Sequence, residues 1–344
     1  MENSKKVVFR INLGKKTGLG HLMRCLRFSH EIIKKKYEIF FILDNLQNIN
    51  LKNKKIKSIE LYNKKKFVSE VEDAKKCLVF IKKIKPIAVI VDDYRLSEKW
   101  HRSIKKFTKK IIVIDDLANR NMQCDIYINY KVTNIDKLKN IVRKICNKNA
   151  KLLLGPKYLI LDQHLKKTKK TKKFQILINF GNSFDFLKIK NFLTELCGKL
   201  SQMNNIKILI VIGTLAKNFK YIYKLKKNYY NIRLIEKKIF IEKYINSTQF
   251  FLGSAGNSIY EMSYLNIPSI FFSLSENQEN DIRNLEKLGH FFSLTSKDLS
   301  NNKLPSFVLT MLQNYSRIKK LNKTKKIFLK KKSLKHLTAT LNLK

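Results

Sequence analysis

The feature that most constrains the fold is a regular alternation along the chain. Short, continuously apolar runs are separated by longer amphipathic or lysine-rich segments. Such runs are typical of parallel strands buried on both faces, and the segments between them are long enough for crossover helices. We therefore predict two series of strands, at residues 6–11, 38–43, 87–92, 111–115, 125–129 and 151–155, and at residues 174–180, 206–213, 232–236, 248–253 and 268–274.

A basic stretch, LKKTKKTKKF (residues 165–174), separates the two series and has the composition of a linker. Two successive α/β series predict two Rossmann-type parallel-sheet domains facing a cleft, and 344 residues suit two domains. The predicted organisation is a domain at residues 1–164, a linker at 165–173, a second domain at 174–316 and a basic tail at 317–344.

The formal net charge of +46 says less about function than its size suggests, since only ten of the 72 basic residues are arginine. Readers of base edges rely on arginine, and the sequence has no zinc-finger spacing or RNP-type aromatic motif, so nucleic-acid binding is not favoured. We interpret the charge as a solvated lysine surface. Weak attraction to an acidic partner or a membrane surface is the lesser alternative.

Cysteine usage and hydropathy predict a cytoplasmic location. The five cysteines are scattered, and none are spaced as C-x-x-C, which predicts free thiols in a reducing compartment and no cysteine-based zinc site. No apolar run approaches the roughly 18 residues of a membrane span, and the N-terminus lacks the apolar region of a signal peptide.

The loop after the first strand carries the motif GLGHLMR (residues 18–24). Glycines at positions 18 and 20 allow close approach of the backbone to a ligand. His21 is expected in the first turn of a helix, where the dipole favours a neutral ring able to accept a proton. Arg24, three residues on, could meet an anionic group. The alternative is a histidine that only caps the junction between strand and helix.

Two adjacent strands end in acidic residues. VDDY (residues 91–94) follows one strand and DDLANR (115–120) follows the next. Carboxyl ends of parallel strands meet at one edge of a sheet, so these side chains are predicted to form one wall of a site. The spacing is not that of a D-x-D metal motif, and local capping of the following helix is the alternative for any one aspartate.

The second series has two loops suited to phosphate. In NFGNSFD (residues 179–185), Gly181 and Ser183 precede a predicted helix. In LGSAGNS (residues 252–258), small residues can present several N–H groups to a diphosphate, and Glu261 follows one turn later, where it could bind ribose. The alternative for the second loop is an ordinary turn between strand and helix.

Taken in order, these motifs resemble those of one family. Together they cover most of residues 6–290. They are FRIN, GLGHLMR, VDDY, DDLANR with a later Cys124-Asp125 pair, a G-P-x-Y segment ending at Tyr158, a G-G-S-D-like turn, and an S-A-G-x-S-x-x-E loop followed by N-Q. The chain resembles the UDP-2,4-diacetamido-2,4,6-trideoxy-β-L-altropyranose hydrolases of pseudaminic acid biosynthesis and their spore-coat polysaccharide relatives. Its second-domain loop is also similar to that of the transferase that adds N-acetylglucosamine to the peptidoglycan lipid precursor.

The resemblance implies an α/β, glycosyltransferase-B-like fold and a hydrolase that releases UDP from a UDP-diacetamido-trideoxyhexose without metal or cofactor. It implies that His21 activates a water molecule to attack the anomeric carbon and that Tyr94 is a second catalytic or substrate-orienting group. The predicted substrate-binding residues come from this resemblance and from the positions of polar residues and glycines at the strand ends. They are Arg10, Asn12, Gly18, Gly20, Arg24, Asp92, Asp116, Gly181, Ser183, Ser254, Ala255, Gly256, Asn257, Glu261, Asn277 and Gln278.

Several positions depart from the family pattern and bear on sugar identity and activity. Asn12 stands where an aspartate is usual, Asn182 replaces the second glycine of the G-G-S-D turn, Phe184 moves its aspartate to position 185, and Asn257 replaces a small residue. Two further functions stay open: a glycosyltransferase of the same fold that uses a UDP-sugar donor, and a non-catalytic nucleotide-sugar-binding homologue.

Overall fold

The computed structural model describes residues 5–13, 19–45, 55–63, 66–162, 164–166, 171–236, 238, 241–274, 282–286, 291–321 and 333–343. The chain forms two compact units. The first consists of Met1–Leu161 together with Leu329–Lys344, and the second of Asp162–Phe328. Within the described part of the chain, no helix is long and apolar enough to cross a membrane.

The first unit is built on a seven-stranded parallel sheet in the order β3-β2-β1-β4-β5-β6-β7. Its strands are β1 (Lys6–Ile11), β2 (Glu38–Leu43), β3 (Ile56–Glu60), β4 (Ala88–Asp92), β5 (Lys110–Ile114), β6 (Ile126–Asn129) and β7 (Lys151–Leu154). Its helices are α1 (Gly20–Ile33), α2 (Glu70–Ile84), α3 (Glu98–Lys105), α4 (Ile135–Ile145) and, from the C-terminal segment, α12 (Ser333–Thr340).

The strand order reverses direction between β1 and β4, which are neighbours in the sheet although two strands lie between them in sequence. Both are central strands, and every residue of β4 is buried, as its continuous apolar run predicts. In open α/β sheets, the crevice at such a reversal lies at the carboxyl ends of the strands and is the usual ligand site. Here the last pair in the register of these two strands is Ile11 and Asp92.

The second unit repeats this plan with six parallel strands in the order β10-β9-β8-β11-β12-β13. Its strands are β8 (Phe174–Asn179), β9 (Ile206–Ile212), β10 (Ile232–Glu236), β11 (Phe250–Ser254), β12 (Ser269–Ser273) and β13 (Phe292–Thr295). Its helices are α5 (Lys190–Ser201), α6 (Lys220–Asn228), α7 (Glu242–Asn246), α8 (Ser258–Leu265), α9 (described over 282–286), α10 (Leu304–Gln313) and α11 (Tyr315–Leu321).

The reversal of the second sheet lies between β8 and β11, and a glycine makes this pairing possible. A Cβ atom on Gly253 would lie 1.9 Å from the carbonyl oxygen of Asn179 on β8. Because no side chain fits such a distance, the close approach of the two central strands requires glycine at this position.

Eleven strands agree with the sequence prediction, apart from shifts at their ends, and two were missed. The missed strands are β3 and β13. Each is one of the two edge strands of its sheet. In β3 the exposed residues Lys57 and Ser58 interrupt the apolar run, and in β13 Phe292 is exposed on the outer edge. Edge strands carry polar residues, so the continuous apolar pattern is weaker there. It found the edge strands β7 and β10 but not β3 and β13.

The C-terminal segment differs from the prediction of a separate basic tail at 317–344. Helix α12 packs on the first unit through Leu334 and Leu337, both buried. His336 stacks on Tyr158 with the two ring centroids 5.7 Å apart, and the Tyr37 hydroxyl donates to the Leu343 carbonyl over 2.5 Å. Leucines three and four residues apart give this lysine-rich segment one apolar face, which the first unit buries.

Candidate functional site

A buried histidine and aspartate face each other at the sheet reversal of the first unit. His21 is the second residue of α1, and Asp92 ends β4. The imidazole Nδ1 is hydrogen-bonded to Asp92 Oδ1, and 7% of His21 and none of Asp92 is exposed. A carboxylate acceptor fixes the proton on Nδ1, which leaves Nε2 as a proton acceptor. Among the described residues, none is hydrogen-bonded to Nε2.

Arg24 joins Asp92 to a second carboxylate. Its Nη2 donates to Asp92 Oδ1 and its Nη1 to Asp116 Oδ2, each over 2.5 Å, and Nη1 also lies 2.9 Å from the Tyr130 hydroxyl. Its Nε donates to the other Asp92 oxygen. All three guanidinium nitrogens are thus used inside the protein. The predicted anionic partner of Arg24 is therefore a pair of aspartates, and Arg24 positions Asp92 beside the histidine.

Tyr94 completes the surroundings of the imidazole. Its hydroxyl donates to Asp116 Oδ2 over 2.6 Å, and its ring meets that of His21 edge to face, with the centroids 4.6 Å apart. Burial, reinforced by the charge of Asp116, raises the pKa of the Tyr94 phenol well above its usual value. The phenol is therefore protonated at neutral pH and acts as a hydrogen-bond donor.

The two carboxylates of this network are ionised. Burial opposes ionisation of Asp92, but the charge of Arg24 and the hydrogen bonds that Arg24 and His21 donate outweigh it and lower the pKa of Asp92. Burial likewise opposes ionisation of Asp116, and Arg24 again prevails, so the pKa of Asp116 is lowered. Two negative charges thus share one arginine.

Arg10, predicted to bind substrate, is placed differently. It is fully buried, its Nε donates to Asp73 Oδ1 over 3.1 Å, and its Nη2 donates to Asp44 Oδ1 over 2.6 Å and also to Asp73. Burial disfavours its charge, but Asp73 and Asp93 outweigh that and raise the pKa of Arg10. Its guanidinium has no solvent-facing surface, so its role is to tie β1 to α2 and the end of β2.

Two of the four strand-end aspartates, Asp93 and Asp115, bond to backbone N–H groups of the loops that follow them. Neither caps a following helix, since Ser97 precedes the first residue of α3 and β6 is the next element after Asp115. Asp93 Oδ1 accepts from the backbone N–H of Arg95 over 3.0 Å, and Asp115 Oδ2 accepts from that of Ala118 over 2.8 Å. Asp92 and Asp116 instead belong to the histidine network. Successive residues at a strand end point to opposite faces of the sheet, which separates the members of each pair.

The missing carboxylate at Asn12 is compensated. The Asn12 N–H donates to the backbone carbonyl of Asp92 over 3.1 Å, so this position continues the pairing of β1 with β4. The acidic partner of His21 comes from Asp92, at the end of the neighbouring strand. The departure at position 12 therefore leaves the histidine with a carboxylate partner.

The phosphate-type loops of the second unit meet at its sheet reversal. Gly181, which follows β8, has a positive φ of 93° and donates its N–H to Asn179 Oδ1 over 3.0 Å. A Cβ atom on Gly181 would lie 3.6 Å from the Ser254 hydroxyl at the end of β11. The structure therefore brings together Gly181 and Ser254, which the sequence predicts for one site. Ser183 is exposed on the same loop.

The loop before α8 is only partly available to a ligand. The Ala255 N–H donates to the carbonyl of Phe272 over 3.2 Å and so belongs to the sheet, which corrects its predicted part in a phosphate cradle. A Cβ atom on Gly256 would have no atom of the described residues within 4 Å, so this position is open with respect to them. Asn257 is the residue at which α8 starts, and Glu261 is buried in the first turn.

Some predicted residues lie elsewhere. Gly18, Asn277 and Gln278 lie outside the described residues, and Gly20 is the first residue of α1. Within the described ranges, no group of three histidine, cysteine, aspartate or glutamate side chains is arranged to hold a metal ion.

Tyr130 belongs to the network of Arg24 but was not predicted from the sequence. Its position directly after the strand β6 was the signal that could have identified it.

Two sequence comparisons relate this chain to known proteins. Residues 175–338 match the glycosyltransferase family 28 C-terminal domain. The sequence is 27% identical over 339 residues to an uncharacterized protein of Methanocaldococcus jannaschii, covering 91% of this chain and 67% of that protein.

Solved structures show the same fold at low sequence identity. The glycosyltransferase CalG4, of calicheamicin, has a TM-score of 0.64 and 10% identity, over 99% of this chain and 98% of its own. UDP-GlcNAc 2-epimerase from Neisseria meningitidis, bound to UDP-GlcNAc, has a TM-score of 0.59 and 13% identity, over 98% of this chain and 99% of its own. The chain has a glycosyltransferase-B-like fold of two parallel-sheet α/β units, as predicted.

Proposed function

We propose that this protein is a nucleotide-sugar hydrolase that releases UDP from a UDP-diacetamido-trideoxyhexose. The observation that carries the proposal is the pairing of His21 Nδ1 with Asp92 at the sheet reversal of the first unit. This pairing gives the ring a fixed proton on one nitrogen and a basic second nitrogen, which is what a general base for water requires. The sugar is the one implied by the family that the ordered motifs resemble.

In the proposed reaction, His21 Nε2 accepts a proton from water while the water oxygen attacks the anomeric carbon. The bond between that carbon and the diphosphate oxygen breaks, and UDP leaves with the electron pair. The products are UDP and the free sugar, which carries the new hydroxyl. Asp92 stabilises the imidazolium during the attack, and Arg24 with Asp116 holds Asp92 in place.

UDP is assigned to the second unit in this proposal. The match to a glycosyltransferase C-terminal domain covers β8 to α12, and a fold relative is an epimerase whose structure holds UDP-GlcNAc. Gly181, Ser254 and Gly256 lie where backbone can approach a diphosphate, and the amino end of α8 favours a negative charge.

A panel of UDP-sugars, assayed for UDP release with and without sugar or lipid acceptors, tests the proposal. We expect release from UDP-2,4-diacetamido-2,4,6-trideoxy-β-L-altropyranose without acceptor. His21→Gln should lower turnover by about 10²- to 10⁴-fold and leave UDP binding unchanged. His164→Gln is the matched control, because that side chain is 85% exposed. Absence of release from every sugar, or full turnover by His21→Gln, would contradict the proposal.

A glycosyltransferase is the second candidate, and the match to a glycosyltransferase family C-terminal domain favours it. A transferase would use the same base to deprotonate a hydroxyl of an acceptor in place of water. Turnover that depends strictly on an added acceptor, with His21 still required, would favour the transferase. UDP binding without turnover under any condition would indicate a non-catalytic homologue.

A further inference from the structure

In the second unit, the loop after β8 is fastened to the loop after β9. The Leu215 N–H donates to the carbonyl of Asn182 over 3.1 Å, and the Lys217 N–H donates to that of Phe184 over 3.0 Å. The Phe186 N–H in turn donates to the carbonyl of Lys217 over 3.0 Å. These bonds hold residues 182–186 as a short ladder against residues 213–217, so the first loop has a defined conformation.

The Asn182 side chain strengthens this connection and has a fixed orientation. Its Oδ1 accepts from both the N–H and the hydroxyl of Thr214, each over 2.8 Å. A backbone N–H can only donate, so the oxygen of the amide must face Thr214 and the nitrogen must face away. Gly213 allows this close contact, since a Cβ atom there would lie 2.2 Å from the Asn182 carbonyl oxygen.

The nitrogen of the Asn182 amide, which faces away from Thr214, is a buried donor. Asn182 Nδ2 is buried, and within the described residues it has no hydrogen-bond partner. A buried donor without an acceptor is costly and is rare in native proteins. Asn182 directly follows Gly181, which adjoins Ser254 at the reversal between β8 and β11, so this residue lies in a loop at the edge of the sheet where ligands bind.

We infer that Asn182 Nδ2 donates to a diphosphate oxygen of the bound nucleotide sugar. This inference rests on the proposed function and adds a binding residue to it. Hydrogen bonds to an anionic oxygen are stronger than those to a neutral one, so such an acceptor best offsets the cost of burying the amide N–H. The neighbouring loop and the amino end of α8 also favour negative charge at the same edge. The sequence pattern that this chain resembles has a glycine here, so the donor distinguishes this chain from that pattern.

Asn182→Asp is the sharpest test variant. Its Oδ1 keeps both bonds from Thr214, so the ladder between the loops stays intact, while an anionic oxygen replaces the donor. Asn182→Ala removes both functions. Asn218→Ala is the matched control, because Asn218 Nδ2 also joins the two loops, through Asp185 Oδ1 over 2.9 Å, but has a partner within the protein.

The measurement is calorimetric binding of UDP, uridine and inorganic diphosphate to the full-length chain. We expect Asn182→Asp to weaken UDP and diphosphate binding about 100-fold and Asn182→Ala about tenfold. Uridine binding should be unchanged in both, and Asn218→Ala should bind all three probes like the wild type. Unchanged melting temperatures would exclude misfolding of the variants.

The outcomes separate this inference from the proposed function. If the wild type binds UDP and Asn182→Asp binds it equally well, only the inference is overturned. Equal weakening of uridine and UDP would also overturn it, since that result indicates a damaged loop and not a lost phosphate contact. If the wild type binds neither UDP nor diphosphate, the proposed function fails and the inference fails with it.

Discussion

The two units have the same sheet topology, but different kinds of residue lie at the point where the strand order reverses. At the end of β1 and β4, ionisable side chains are buried and paired with one another: His21 with Asp92, and Arg24 with Asp92 and Asp116. At the end of β8 and β11 there are glycines and a serine, and the polar atoms offered are largely those of the backbone. The first arrangement suits proton transfer, and the second suits close approach to a phosphate.

This difference has an energetic consequence. Buried charges are stable only when each has its partner, so removing one member leaves an uncompensated charge. A glycine loop carries no such dependence on ionisation, but it depends on the absence of a side chain. The first unit should therefore be sensitive to charge and pH, and the second to added volume.

The largest effect is expected for Gly253→Ala in the second unit. The new methyl group would lie 1.9 Å from the Asn179 carbonyl oxygen in the centre of the sheet. We expect a loss of at least about 3 kcal/mol in the free energy of unfolding of this unit, measured by denaturant titration. UDP binding should be lost with it, while the first unit stays folded by native-state hydrogen exchange.

Gly256→Ala is the matched control for that change. A Cβ atom at this position would lie more than 4 Å from every atom in the part of the chain that the structure describes, so stability should change by less than about 1 kcal/mol. Equal destabilisation by the two alanines would contradict the view that close strand approach, and not flexibility of the loop, is what requires glycine in β11.

The second effect is expected for Asp92→Asn in the first unit. An amide at this position cannot fix the His21 tautomer and leaves Arg24 with one carboxylate fewer. We expect turnover to fall by about 10²-fold or more and the melting temperature to fall as well, since a buried ion pair is broken. UDP binding should remain. Steady-state kinetics with a parallel thermal melt separates the two consequences.

Asp93→Asn gives the contrast within the same dipeptide. Asp93 belongs to the network of Arg10 and Arg95 on the other face of the sheet, so this change should lower stability with little effect on turnover per folded molecule. If Asp93→Asn reduced turnover as strongly as Asp92→Asn, the assignment of Asp92 as the partner of the histidine would be wrong.

The sequence predicted the central strands well, because burial on both faces imposes a continuous apolar run. It also named His21, Arg24, Asp92 and Asp116 as site residues, because each lies at or after the carboxyl end of a predicted strand. It did not predict which aspartate pairs with the histidine. VDDY offers two candidates, and only the direction in which each side chain leaves the strand decides between them.

Arg10 illustrates a second limit of the sequence. An arginine in a strand near a glycine loop is a reasonable ligand for an anionic substrate, but its buried partners, Asp44 and Asp73, are 34 and 63 residues away. Pairing over such separations depends on tertiary structure. The same is true of Asn182, whose partner Thr214 comes from a different strand end.

A third effect concerns acid stability. Burial, with the charge of Arg120, lowers the pKa of His101 on α3 from 6.5 to about 3. Between these values the unfolded chain binds a proton that the folded unit excludes, so the stability of the first unit should fall as the pH is lowered. The expected slope approaches about 1.4 kcal/mol per pH unit. The lowered pKa values of Asp73, Asp92 and Asp116 add to this loss only at pH values near and below about 4.

His101→Gln should flatten this slope between pH 6.5 and 4, measured by hydrogen exchange of the strands of the first unit. His164→Gln, at an exposed position, should leave it unchanged. Strands of the second unit serve as the internal reference. A slope of the same size in both units, unaffected by His101→Gln, would contradict the assignment of the acid sensitivity of the first unit to His101.

The smallest effect, and the one that sharpens the role of the first site, is expected for Tyr94→Phe. The ring would keep its edge contact with His21, and only the hydroxyl that donates to Asp116 would be lost. Loss of one such bond in a positioning network should lower turnover by no more than about tenfold, whereas loss of a proton donor to the substrate would cost about 10²-fold or more. Tyr94→Ala removes the ring contact as well and should be more severe than Tyr94→Phe. Because the Tyr94 hydroxyl already donates its proton to Asp116, we expect the smaller value, which makes Tyr94 a residue that holds the histidine and not one that acts on the sugar.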